Sequence, residues 1–142
     1  GILKKPVIVD EVHYKDGTVE KQTPQDVAQV VSEKTARTLG AMLVSVIEHG
    51  HGKKAAVPGY YIGGKTGTAQ VARTDGIGYS LDNTIGSFAG FGPVEDPKFA
   101  MIIRIDHPRD VVWAESTAAP LFGEIAQFLL QYFEVPPVRK ID

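Results

Sequence analysis

From Ser32 onward the apolar residues Ala36, Leu39, Leu43, Val46 and Ile47 recur at intervals of three and four, the repeat of one face of an α-helix. Ser32 precedes the run as an N-cap and Gly50 follows it as a C-cap, so the pattern predicts a helix over 33–49. A second stripe, Leu121, Ile125, Phe128, Leu129 and Tyr132, starts after Ser116 or Thr117 and tolerates Pro120 in its first turn. Val135-Pro136-Pro137 stops it, which predicts a helix over 118–134. Between the two helices the period changes. Tyr60 to Val71, Thr84 to Phe91 and Phe99 to Asp106 are rich in strand-favouring residues, and turn signals at Asp75-Gly76, Gly78 and Pro93 to Pro97 separate them.

Three such runs with short connections predict an antiparallel meander. In the last, Phe99, Met101, Ile103 and Ile105 share one face while Ala100 and Ile102 share the other, the composition of a strand covered on both sides. Nearer the start, Val7 to Tyr14 and Thr18 to Gln22 flank Lys15-Asp16-Gly17, a hairpin signal. The predicted class is α+β: 1–31 forms a hairpin and lead-in segment, and 32–137 forms a helix, three strands and a helix, both helices lying on one face of the sheet.

Composition narrows the functional classes. With 142 residues, 43% apolar and 23% charged, the chain suits one modest core, and a net charge of −2 offers no basic field for nucleic acid. Cysteine is absent, which excludes thiol catalysis and disulfides. No apolar run is long enough to span a bilayer. His49 and His51 have no third ligand nearby in sequence, so they read as loop residues, and neither a metal nor a cofactor is expected. The opening Gly1-Ile2-Leu3-Lys4-Lys5-Pro6, without an initiator methionine, is expected to continue from preceding chain.

The chemistry concentrates in Gly63-Gly64-Lys65-Thr66-Gly67-Thr68-Ala69-Gln70, which sets one cation and two hydroxyls among three glycines. Gly59 to Thr66 also fits G-x-x-x-x-G-K-T, the phosphate-cradling loop. That loop needs an apolar strand before its first glycine and a helix opening at Lys-Thr. Here Gly52 to Pro58 is loop-like, and no amphipathic helix fits after Thr66. The other reading takes Lys65-Thr66-Gly67-Thr68 as the K-T-G element of penicillin-reactive serine acyltransferases. On a strand, Thr66 and Thr68 alternate with Gly67, so their hydroxyls project together toward an anion, Lys65 supplies the attracting charge, and Gly67 lets substrate backbone lie close.

The order of a helix, Lys65 to Gln70, Ser87-Phe88-Ala89-Gly90-Phe91, an apolar strand and Ala118-Ala119-Pro120-Leu121-Phe122 resembles the end of a penicillin-binding protein transpeptidase domain, most closely of the class B type. The resemblance covers about Pro6 to Pro137 and makes 1–142 the C-terminal portion of one such domain. It implies a partial penicillin-binding/serine β-lactamase-like fold, in which the meander belongs to a five-stranded sheet. It also implies an enzyme that cleaves the D-Ala-D-Ala end of a peptidoglycan stem peptide through an acyl-serine, passes the acyl group to a neighbouring stem's amine, and reacts with β-lactams. Lys65 and Thr68 are then catalytic, with the Thr68 backbone N–H an oxyanion donor, and Lys65, Thr66, Gly67 and Thr68 bind substrate. The implied location is extracytoplasmic, with a membrane anchor outside this chain.

The family pattern also needs S-x-x-K and S-x-N elements before K-T-G. No serine here has lysine three positions later: Ser32, Ser45, Ser80, Ser87 and Ser116 are followed there by Thr35, Glu48, Asn83, Gly90 and Ala119. The nucleophile is therefore expected from the remainder of the domain, and the isolated chain is expected to be inactive. Its strand 99–106 is expected to pair with that remainder or with a second copy. The competing class is a domain that senses muropeptides or β-lactams without turnover.

Overall fold

In the computed structural model, which describes residues 1–139, strand β1 (Ile2–Lys4) pairs antiparallel with β4 (Asp26–Gln29). Between them in sequence lies a hairpin of β2 (Glu11–His13) and β3 (Val19–Lys21). The last three residues of the 1–142 portion lie outside the described residues. The hairpin turns where Asp-Gly placed it: Gly17 takes φ 86°, and the Thr18 N–H donates to Asp16 Oδ1 at 2.9 Å, which holds that carboxyl below its ordinary pKa. The strands are much shorter than the predicted runs. No residue of 1–39 is buried, so this stretch, one of two compact units, is held by ladders and polar pairs such as Lys4 with Asp26. β1 and β4 escaped the sequence reading because three or four residues show no period.

Helix α1 (Glu33–His49) begins in the first unit and ends in the second, which starts at Gly40. Ser32 caps it, accepting the Thr35 N–H on Oγ at 3.1 Å. Gly50 ends it, where the Gly50 N–H reaches the Val46 carbonyl at 3.0 Å and an added Cβ would stand 2.8 Å from that oxygen.

The second unit is built on a sheet in the order β5 (Gly63–Ala72), β6 (Tyr79–Gly92), β7 (Phe99–Asp106), each pair antiparallel. Helix α2 (Ala118–Tyr132) lies along one face. Phe88 from β6 and Phe122 from α2 meet at a centroid distance of 4.7 Å, with Ile62, Leu130 and Val57 also fully buried. Glycines permit this approach: a Cβ on Gly64 would stand 2.5 Å from the Phe88 ring, and one on Gly90 would stand 2.7 Å from that of Phe122. α1 joins from its C-terminal half, with Ile47 in the core and Gly40 closed against Val94.

Two boundaries and the cover of one strand differ from the sequence pattern. Tyr60-Tyr61-Ile62 favour strand but precede β5, because Tyr60 turns back to the Val57 carbonyl and its hydroxyl donates to Val135 O at 2.6 Å. β6 begins at Tyr79 rather than Thr84, extending the hairpin with β5. β7 has the expected ends but only one covered face: Phe99, Met101, Ile103 and Ile105 pack on the core, whereas Ala100, Ile102, Arg104 and Asp106 are exposed. On that open face Arg104 is paired with Asp106 at 2.7 Å.

Candidate active-site cleft

Within the three-stranded sheet β5 is an edge, hydrogen-bonded to β6 alone. Residues opposite one another in an antiparallel pair project to the same face. Thr66 stands opposite Phe88, a core residue, and Thr68 opposite Gly86, whose absent Cβ would touch Thr117. Both threonines therefore face the α2 side. Lys65 and Gly67 stand opposite Ala89 and Ser87 and belong to the other face. Lys65 nevertheless crosses the free edge: its Nζ donates to the Thr66 carbonyl at 2.8 Å and to Thr66 Oγ1 at 3.1 Å.

The result is a cleft of about 470 Å³ lined by His51, Lys65, Thr66, Thr68, Trp113 and Glu115. Three of the four residues singled out from sequence meet there. Gly67 is not among its lining. A Cβ on Gly67 would stand 2.7 Å from Ser87 Oγ, and that hydroxyl donates to the Gly67 carbonyl at 3.2 Å. The glycine thus admits a cross-strand hydrogen bond on the face away from α2.

The opposite wall is a single 3₁₀ turn, Ala114–Ser116, just before α2. Three contacts fix it: the Ala114 N–H donates to Thr68 Oγ1 at 3.3 Å, His51 Nδ1 lies 2.9 Å from Glu115 Oε2, and Lys54 Nζ donates to Ser116 Oγ at 2.9 Å. Upstream, buried Thr84 holds the approach to the turn by donating to the Val112 carbonyl at 2.8 Å. Trp113 is left 67% exposed at the cleft.

His51, Trp113 and Glu115 were missed as site residues. The sequence pattern gives His51 as a loop residue; it is exposed, yet it is paired across 64 positions of sequence. Trp113, the only tryptophan in the chain, was the one available signal. A larger cleft of about 600 Å³ lies at the turn end of the β5–β6 hairpin, where Arg73 and Asp75 satisfy each other at 3.0 Å and none of the K-T-G residues takes part.

The phosphate-loop reading fails on geometry, since Lys65 and Thr66 sit within a strand and no helix opens there to present N–H groups to a phosphate. Among the described residues no group of three His, Cys, Asp or Glu could hold a metal ion, and no helix is long and apolar enough to cross a membrane.

The model of the penicillin binding protein transpeptidase domain matches residues 1–127. The chain belongs to that family. Among transpeptidase-family relatives, it is 39% identical to the stage V sporulation protein D of Bacillus subtilis over 96% of this chain and 21% of the relative. It is also 39% identical to penicillin-binding protein PbpB of Mycolicibacterium smegmatis over 96% of this chain and 22% of that protein. Among solved structures, penicillin binding protein 3 of Mycobacterium tuberculosis complexed with ampicillin superposes with a TM-score of 0.86 at 33% identity, over 99% of this chain and 33% of that one. Its aztreonam complex gives 0.85. The α+β class is thus that of the family's transpeptidase domains. The chain spans about a fifth of the length of these curated relatives.

Proposed function

We propose that this chain is the K-T-G portion of a peptidoglycan D,D-transpeptidase. The observation that carries this reading is the gathering of Lys65, Thr66 and Thr68 along a free strand edge that forms one wall of a cleft. In the reaction, a serine Oγ from the rest of the domain attacks the carbonyl between the two terminal D-Ala residues. The C–N bond breaks, the terminal D-Ala leaves as an amine carrying a proton, and a second stem's amine then displaces the serine. With a β-lactam, the ring C–N bond opens and the leaving nitrogen stays attached.

Each residue of the wall has a part in that sequence. Lys65 attracts the terminal carboxylate and raises the positive potential beside the serine, and the Thr66 and Thr68 hydroxyls can hydrogen-bond the same group. Lys65 reaches the Thr66 carbonyl over the free edge, which supports an outward direction for that carbonyl. In an antiparallel strand the N–H and C=O of one residue point the same way, and every second residue repeats the direction. The Thr68 N–H is then available as an oxyanion donor. Gly67 contributes by keeping the strand narrow at this point.

On this reading the substrate is a stem peptide ending in D-Ala-D-Ala, and β-lactams are its mimics, as the ampicillin and aztreonam complexes of the solved relative suggest. The protein works outside the cytoplasm from a membrane anchor, and the open edge of β7 pairs with a strand from the rest of the domain, within a sheet of five strands to which this chain contributes three. In the whole protein, Lys65→Ala should slow acylation by a labelled penicillin by about a hundredfold, the usual scale for losing one transition-state contact of this kind. An unchanged rate would contradict the assignment. A stable adduct with no transfer to an amine would favour the sensing reading.

A further inference from the structure

We propose that Glu115, oriented by His51 and flanked by Trp113, recognises a cationic amine on the ligand of this cleft; the inference rests on the transpeptidase reading above. The two walls carry opposite charges that do not neutralise each other. Lys65 on β5 is engaged with Thr66, Glu115 on the 3₁₀ turn is engaged with His51, and among the described residues no ion pair within 4.0 Å joins the two. His51 Nδ1 occupies only Oε2 of the carboxylate. Oε1 takes no hydrogen bond among the described residues, so Glu115 keeps an open acceptor in the cleft.

Trp113, two residues earlier, is 67% exposed and lines the same space. An indole face and a carboxylate together are the usual chemistry for holding an ammonium group, one through the ring quadrupole and the other through charge. A ligand whose carboxylate meets Lys65 can therefore place an amine against Glu115 and Trp113, and the cleft favours a zwitterion over a simple anion. An amine carried on the acyl part of the ligand is the class that fits.

Ampicillin and benzylpenicillin separate the two claims, since they differ only by the α-amino group. Acylation rates for both are measured on the whole transpeptidase carrying this chain, as wild type and as Glu115→Gln, with His51→Ala as a second variant. The rate ratio of ampicillin to benzylpenicillin should fall about three- to fivefold in Glu115→Gln, the scale of one partly exposed ion pair, whatever change is common to both drugs. In His51→Ala the ratio should fall less, because the carboxylate remains but is no longer oriented. In wild type, added salt should lower the ratio by screening the same contact. A ratio unmoved in both variants, with the two rates falling together, would reduce the His51–Glu115 pair to a brace for the turn and overturn the proposal. A wild-type protein that neither penicillin acylates would overturn the transpeptidase reading instead.

Discussion

Lys65 and Thr68 differ in how much structure depends on them. The Lys65 ammonium is exposed and, among the described residues, bonded only to its neighbour Thr66, so Lys65→Ala should change stability by no more than about 0.5 kcal/mol while acylation collapses. Thr68 Oγ1 also accepts the Ala114 N–H at 3.3 Å, and Thr68→Val removes that acceptor from a half-buried contact. The expected cost there is about 1 kcal/mol, again with acylation slowed far more than melting is lowered. Thermal melting and acylation measured on the same samples check both. A large drop in melting temperature with normal acylation would reassign these residues to structure. The K-T-G residues were legible because they are consecutive and their spacing alone sets which hydroxyls align. His51, Trp113 and Glu115 were not, because a turn 64 positions from His51 comes to it only through tertiary packing.

Among the elements, the helices and β7 could be read to within a few residues, since their apolar repeats are long and their ends carry Ser32, Gly50 and Val135-Pro136-Pro137. Tyr60-Tyr61-Ile62 could not, because their β-preference is overridden by contacts with the C-terminal tail. There the Tyr60 hydroxyl bonds Val135 O, and the Arg139 guanidinium sits 4.6 Å from the centre of the Tyr61 ring while donating to Glu48 at 2.5 Å. That pairing raises the Arg139 pKa above its ordinary value. The end of α2 shows a correctable strain. The Glu134 N–H reaches Gln131 O and the Val135 N–H reaches Leu130 O, the pattern that places a left-handed residue after a helix, and Glu134 takes φ 52°. Glycine adopts that conformation without a Cβ clash. Glu134→Gly should therefore stabilise the fold by about 0.5–1 kcal/mol, read as a rise in melting temperature; a fall would show that the side chain matters more than the backbone.

For the molecule as a whole, the open edge of β7 is the feature with the largest consequence. Its ladder groups beyond β6 have no strand partner among the described residues, and Ile102 on the uncovered face is 69% exposed. Such an edge templates pairing with another strand. The sequence pattern predicts cover on both faces of β7, and its exposed face corrects this. The 142-residue chain on its own should therefore associate as concentration rises, by light scattering across a dilution series, and should bind a hydrophobic dye. A strictly monomeric chain that binds none would contradict this.

If these residues form one wall of an acyl-serine site, the nucleophile lies elsewhere in the protein. The direct measurement is mass-spectrometric mapping of the penicilloyl group after labelling the whole protein and, separately, the 142-residue chain. One adduct is expected in the whole protein, on a serine followed three residues later by lysine and lying outside 1–142, with none on the isolated chain. An adduct on Ser32, Ser45, Ser80, Ser87 or Ser116, or no adduct on the whole protein, would contradict it.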